Sequence, residues 1–420
     1  MRNIIYIFGV LMGLSSFWAE AQTVVPLSYS RFLQRVNEGN REYAAEKLNV
    51  NAARADAVAA KVFEDPELSV AYSNNQDNSI QMGQSVEFGL TQTVTLGRRG
   101  ANIRLAKNQS ELSEILLADY YRNLRADATI AYLEALKQKQ LFEVKKKAYQ
   151  NMADLAKSDS MRFILGKIME VEATQSHLEA GMMYNEVLQA ETELNNACAS
   201  LSVLMGRAYN DTLYRPDETL KQPMRDFVLA DLLEQAVGNR SDLLAAQKNS
   251  EVASRELTLV RRERRPDVDV SLNVSLNNRV RNEEAPAPPF TGVTAGIAFP
   301  LNFSALNKGA VRAAKYRAQQ AELQSDQVRL QVENEVMQAY RQYQSHARQV
   351  SHYEKGLLAH AETVLTGKIY SYNRGEVSLL EILNAQRTYN DVQAQYIETL
   401  FDYNSALVEL ERSVGIWDIN

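Results

Sequence analysis

The chain has 420 residues and few helix breakers: 18 glycines and 9 prolines make about 6% of the sequence, against roughly 12% in average usage. A hydrophobic content of 45% excludes wholesale disorder. A mean hydropathy of −0.34 excludes a polytopic helical membrane protein, since no stretch past residue 20 supplies the ~20 apolar residues of a spanning helix. The formal charge of −6, from 46 basic and 52 acidic residues, leaves no cationic surplus for a nucleic-acid backbone.

At the N-terminus, Arg2 and an apolar core from Ile4 to Leu14 precede Ala19-Glu20-Ala21, the small-x-small pattern that signal peptidase cleaves. Residues 1–21 are therefore predicted to be a signal peptide and Gln22 the mature N-terminus. A transmembrane anchor is the alternative, weakened by an apolar core of only about eleven residues. The mature protein then lies outside the cytoplasm. Its single cysteine, Cys198, is predicted to be a small buried residue, so packing rather than an internal disulfide holds the fold. No cysteine follows the cleavage site, and no lipidated N-terminus is expected.

An internal repeat organises the rest. Gly39-Asn40-Arg41 recurs as Gly238-Asn239-Arg240, and Pro66-Glu67-Leu68-Ser69-Val70 as Pro266-Asp267-Val268-Asp269-Val270. Gly100, Gly166, Glu172 and Gly206 recur as Gly309, Gly375, Glu381 and Gly415. The spacing steps up in the second hairpin, where Ala285-Pro286-Ala287-Pro288-Pro289 lengthens the loop. The expected organisation is a first repeat over 22–207 (helix, β-hairpin, two long helices), a linker over 208–228 holding Pro216 and Pro223, and a second repeat over 229–420.

In each repeat a helix (27–63 or 229–263) leads to a proline and then to alternating residues. Leu68, Val70 and Tyr72 alternate with small polar residues, as do Val86, Phe88, Leu90, Val94 and Leu96 after the 74–83 loop. In the second repeat Val268, Val270, Leu272, Val274 and Leu276 alternate likewise, then Val293, Ala295, Ile297, Phe299 and Leu301. Four strands with one apolar and one polar face are predicted. Between hairpins the chain is free of proline from 67 to 215 and from 301 to 420, so long helices are expected from Gly100 to about Asp159 and from about Phe163 to Gly206. Ile382, Tyr389, Tyr396, Tyr403 and Leu410 recur every seven residues, in register with Ala173, Ala180, Val187, Leu194 and Leu201. Val336, Tyr343, Val350, Leu357 and Val364 form a further ladder, which predicts coiled-coil packing.

Four strands cannot close a membrane barrel, which starts at eight in bacterial single chains, so insertion requires at least two copies. A soluble sheet packed on helices is the alternative, although long coiled-coil helices leave it little core. The order helix, Pro-led hairpin, long helix, return helix, twice over, resembles the TolC-like outer-membrane efflux protein family across the mature chain. So do Asp65-Pro66-Glu67-Leu68-Ser69, Thr95-Leu96-Gly97-Arg98-Arg99-Gly100-Ala101, Asn307-Lys308-Gly309-Ala310 and Tyr372-Asn373-Arg374-Gly375-Glu376-Val377-Ser378. The resemblance implies a mainly α fold with β: a long coiled-coil helical barrel in the periplasm, continuing a trimeric twelve-stranded transmembrane β-barrel to which each chain gives four strands. It implies a homotrimer acting as the exit duct of a tripartite efflux system, joined by a periplasmic adaptor (membrane fusion protein) to an inner-membrane transporter of RND type, and exporting small molecules or metal cations. The hairpin and junction strings look more like the heavy-metal branch than the drug branch.

On that resemblance, the turns at Gly166 and Gly375 are the periplasmic tips. Glu172 and Glu381 take the positions of the family's gating aspartates, and Asn384 stands where a second acid is frequent. A ring of six carboxylates in a trimer would favour cations, with pKa values raised by mutual repulsion; the plainer alternative is two solvated helix glutamates. The tips also dock the adaptor in the family, which makes Gly166, Gly375, Arg374 and Ser378 candidates. Arg261, Arg262, Arg264 and Arg265 complement a helix C-terminus or anchor lipid headgroups, two compatible roles. No enzyme is indicated: His177, His346, His352 and His360 form no metal motif, glycine-rich phosphate loops and nucleophile elbows are lacking, and no cofactor is implied. His346 and His360 lie near the heptad ladder, where packing or tube lining is expected. The competing function is a soluble periplasmic coiled-coil scaffold or pump adaptor.

Overall fold

The computed structural model describes residues 23–76, 81–208, 212–220, 225–301 and 308–418; the predicted signal peptide, Pro223 and Asn307 lie outside them. In chain order the elements are β1 (Thr23–Leu27), α1 (Tyr29–Gly39), α2 (Arg41–Ala59), β2 (Glu67–Asn74), β3 (Gln84–Val94), α3 (Arg98–Ile164) and α4 (Glu170–Leu204). The order then recurs as β4 (Thr212–Pro216), α5 (Leu229–Asn239), α6 (Ser241–Arg262), β5 (Val268–Asn277), β6 (Phe290–Ala298), α7 (Lys308–His352), α8 (Leu358–Asn373) and α9 (Leu379–Val414). The predicted 27–63 and 229–263 helices are each broken by one extended residue, Asn40 or Arg240, whose N–H bonds back to Val36 or Ala236 at 3.0 Å.

Contacts divide the chain into two compact units, each drawing on both repeats. The first comprises residues up to Asn40, Ala128–Lys221 and His352–Phe401. In it β1 pairs in parallel with β4, a sheet the sequence reading missed by treating 208–228 as a linker. Tyr132 is buried over this pair: its hydroxyl donates to the Leu27 carbonyl at 2.9 Å, and its ring stacks on Phe32 at 5.5 Å. Cys198 is buried beside Leu194 and Leu213, and that burial raises its thiol pKa to about 11. A second cluster joins α3, α4, α8 and α9 through Met152, Ala156, Ala180, Met183, Tyr372, Leu379 and Ile382.

The second unit comprises Arg41–Asp127, Gln222–Ser351 and Asp402–Asn420. Its sheet runs β2-β3-β5-β6, antiparallel throughout. The register sets Leu68 against Leu90, Leu90 against Leu272 and Leu272 against Ala295, so one face is apolar across all four strands. Helical packing in this unit centres on Tyr343, whose hydroxyl bonds the Arg225 carbonyl at 2.7 Å and lies 3.1 Å from that of Tyr403. Arg240, almost fully buried, bonds both oxygens of Asp242 (2.8 and 2.6 Å), Glu335 (2.6 Å) and the Ser413 carbonyl (3.0 Å).

Several boundaries differ from expectation. The first long helix reaches from Arg98 to Ile164, and its return helix starts at Glu170 rather than Phe163 because the Gly166 turn intervenes. The ladder of Val336, Tyr343 and Val350 is buried as predicted, but Val364 is exposed and Leu365 and Tyr372 are buried instead. A π-helical turn at Tyr353–Leu357 supplies the reason: it inserts one residue, so the heptad phase slips by one.

Candidate functional site

The two interhelical turns are built alike. Gly166 has φ 69° and Gly375 φ 78°, a left-handed conformation that closes a helix end. At the first, Lys167 N–H reaches Arg162 O and Gly166 N–H reaches Phe163 O, both at 2.8 Å; at the second, Glu376 reaches Ser371 and Gly375 reaches Tyr372, both at 2.9 Å. This double bond pattern is the Schellman motif. Three residues into each following helix stands a glutamate. Glu172 accepts from Met169 N–H at 3.1 Å, and Glu381 from Ser378 N–H at 3.5 Å. Ser378-Leu379-Leu380-Glu381 has the spacing of a capping box, of which the structure makes the glutamate half, while Glu381 N–H bonds the Ser378 carbonyl at 3.1 Å; the adaptor reading of Ser378 passed over this signal.

Glu381 is also bonded to Lys368 at 2.6 Å, and this contact, then the Ser378 N–H, holds its carboxyl below the usual range. Within the protomer the direction is therefore opposite to the rise expected from mutual repulsion, because the nearest charge is a cation. Asn384 is exposed on α9. Arg374 donates to the Tyr370 hydroxyl at 2.9 Å, lies over its ring, and pairs with Glu376 at 3.7 Å. The first turn is different in character: Ile164, Leu165, Met169 and Val171 are 65–73% exposed.

Sequence reasoning missed the polar centre just behind these turns. Asp159 is fully buried on α3, and Tyr372 of α8 donates to its Oδ1 at 2.9 Å. Burial pushes the Asp159 carboxyl above its ordinary range, against hydrogen bonds from Tyr372 and Ser176 and the nearby Arg162. Arg162 also lies over the Tyr372 ring at 4.7 Å. The available signal was positional: Met152, Ala156 and Asp159 follow core spacing, and a carboxylate in a core position requires partners. A second link between repeats joins Arg387 of α9 to Glu179 of α4 at 2.7 Å.

In the second unit the apolar sheet face is bare. Leu68, Val70, Tyr72, Leu272, Val293 and Ile297 are 50–71% exposed, and β2 and β6 are the edge strands of the sheet. The opposite face is polar, with Ser73 and Ser85 hydroxyls 2.7 Å apart and Thr93 bonded to Asp269 at 2.7 Å. Arg261 and Arg262 end α6, and Arg264 and Arg265 follow it just before β5. Among the described residues no helix is long and apolar enough to cross a membrane, and no group of His, Cys, Asp and Glu could hold a metal ion.

An exposed apolar sheet face in a chain that also carries helices of 67, 35, 45 and 36 residues defines an outer-membrane channel protomer, whose strands span the bilayer and whose helices occupy the periplasm. The family model described as "Outer membrane efflux protein" matches residues 232–416. The cobalt-zinc-cadmium resistance protein CzcC of Cupriavidus metallidurans is 23% identical over 395 residues, covering 93% of this chain and 90% of that one. Among solved structures, CusC matches with a TM-score of 0.75 at 17% identity, covering 92% of both chains. VceC of Vibrio cholerae matches with a TM-score of 0.73 at 16% identity, covering 92% of this chain and 95% of that one. The protein is an efflux channel of the outer membrane, and a soluble scaffold or adaptor is set aside.

Proposed function

We propose that three copies close a twelve-stranded barrel and form the exit duct of a tripartite efflux system, receiving substrate from an RND-type inner-membrane transporter through a periplasmic adaptor. The observation that carries this is the four-stranded sheet, apolar on one face, polar on the other and unpaired along β2 and β6. In hydrocarbon those edges must be paired, and four strands fall short of the eight at which barrels begin. Joining β6 of one copy to β2 of the next satisfies both demands. The polar face then lines the lumen.

Glu172, Glu381 and Asn384 are proposed to form the periplasmic gate. Gly166, Gly375, Arg374 and Ser378 mark the tips that meet the adaptor, and Arg261, Arg262, Arg264 and Arg265 face lipid headgroups. Divalent metal cations are the proposed cargo, on the strength of the cobalt, zinc and cadmium in the name of the curated relative. The test is direct. Detergent-extracted protein should have the mass of three chains in native mass spectrometry and should form discrete cation-preferring channels in planar bilayers. Recovery from the soluble periplasm without detergent, or a monomeric mass with no conductance, would overturn the proposal.

A further inference from the structure

The helices of the second unit stand in the same order as its strands. α2 meets α3 where Arg54 pairs with Glu114 at 2.7 Å, α3 meets α6 where Glu111 pairs with Lys248 at 2.6 Å, and α6 meets α7 where Glu256 pairs with Arg317 at 3.6 Å. The row is α2-α3-α6-α7, as the sheet is β2-β3-β5-β6. Its two end helices are the ones joined to the edge strands, since α2 leads into β2 and α7 follows β6.

Each end helix turns an uncovered stripe away from the row. On α7, Ala314, Ala321 and Val332 are buried, whereas Tyr316, Leu323 and Leu330 are 67%, 69% and 61% exposed. Two residues are about 200° round a helix, so the uncovered set lies opposite the buried one. It recurs every seven residues, with Gln320 and Gln327 exposed between its members. On α2, Val50 is buried, and Leu48, 66% exposed, lies across from it among exposed Ala45, Ala52, Ala55 and Ala59 at alternating spacings of four and three. One stripe is bulky and the other small, the complement that interlocking helices need.

We infer that α7 of one copy packs antiparallel on α2 of the next, Tyr316 and Leu323 seating on the alanines around Leu48. The inference rests on the closed-barrel reading, in which β6 joins β2 of the next copy and so brings α7 beside α2. The internal repeat supplies the register. Because α7 is the repeat mate of α3 and α6 that of α2, the seam between copies corresponds to the seam of α3 and α6 within each. There Glu111 corresponds to Gln320 and Lys248 to Asn49. With those two level, Tyr316 meets Ala52 and Leu323 meets Ala45. The same register brings Arg312 within a turn of Asp56 and Asp326 within a turn of Arg41, four exposed charges that make no ion pair among the described residues.

The experiment uses the full detergent-extracted assembly, its mass read by native mass spectrometry. Oxidation of Leu323→Cys with Ala45→Cys should link chain to chain, read as dimer and trimer bands on a denaturing gel that disappear on reduction. Either cysteine alone should give none. Leu323→Cys with Ala59→Cys, displaced about 20 Å along α2, should link at least tenfold less. Independently of cysteine chemistry, Tyr316→Ser with Leu323→Ser should raise the fraction dissociated on dilution at least tenfold, with helix content by circular dichroism unchanged. A monomeric wild type would overturn the closed-barrel reading and the inference with it. A trimer that forms no links from the first pair, or links both pairs equally, would overturn the seam alone and leave the stripes to a different partner. A serine variant that holds together as firmly as wild type would do the same.

Discussion

Tyr372→Phe removes one hydroxyl and leaves a ring that still packs among Met152, Ala156 and Ile382 and beneath Arg162. What is lost is the 2.9 Å bond to Asp159, a fully buried carboxyl. A hydrogen bond to a charged group contributes about 1.5–3 kcal/mol, so the contact that ties α8 to α3 should weaken by roughly ten- to 150-fold. The carboxyl has an escape, because it can take up a proton, and losing a donor that favours the anion should raise its pKa further. The sign follows from burial. With the native pKa above the unfolded one, the native state holds the extra proton, so this stability is fully present below about pH 3.9 and is lost as pH rises through the native value. In planar bilayers the variant should show larger or more frequent openings at neutral pH. In thermal melts, the pH range over which stability falls should move upward. Asp159→Asn should leave little for Tyr372→Phe to remove. Wild-type conductance together with an unmoved pH profile would refute the claim that this bond holds α8 in place.

The remaining expectations concern other parts of the molecule. Glu172→Ala combined with Glu381→Ala should raise single-channel conductance and reduce cation preference; no change in either would sink the acidic gate. Leu272→Lys places a charge on the lipid face and should cost about 2–4 kcal/mol near the bilayer midplane, visible as lost insertion, whereas Asn273→Lys on the opposite face should insert normally. Deleting Gly356 removes the residue that the π turn adds, leaving Leu365 and Tyr372 fourteen and twenty-one places after Val350, so assembly and melting temperature should hold. Deleting Gln344 instead throws everything beyond it out of phase, and equal tolerance of the two deletions would refute the phase argument.

Periodic features were legible in the sequence and single insertions were not. The hairpins follow a two-residue rhythm and the helices a seven-residue one, and the repeat doubles both signals, so strands were placed to within a few residues. The π turn escaped because it adds one residue without altering composition, and only the burial of Leu365 in place of Val364 betrays it. β1 and β4 escaped because each has five residues and their pairing spans 189 positions; their apolar content is too short to declare a period. At the tips, motif position located Glu172 and Glu381, while Asp159 and Tyr372 meet only through packing between helices of different repeats, a pairing that no local string encodes.

The chemistry of the two tips bears on which of them the adaptor grips. Arg374 and Ser378 were singled out in the second turn, yet the Arg374 guanidinium is already engaged with Tyr370 and Glu376, and the backbone N–H of Ser378 with Glu381. In the first turn Ile164, Leu165, Met169 and Val171 are 73%, 65%, 69% and 72% exposed, on a part of the protein surrounded by water. Fully covering such a side chain contributes roughly 1.5–3 kcal/mol, and the four adjoin one another in sequence around Gly166. If a partner covers them, Leu165→Ser with Met169→Ser should weaken capture of the adaptor by at least about tenfold. Arg374→Ala should weaken it much less, because that side chain must first leave Tyr370 to reach a partner. Surface plasmon resonance of the purified trimer against immobilised adaptor reads both, with melting temperature as the control for folding. A larger loss from Arg374→Ala than from the apolar pair would place the grip on the second turn and refute the argument from exposure.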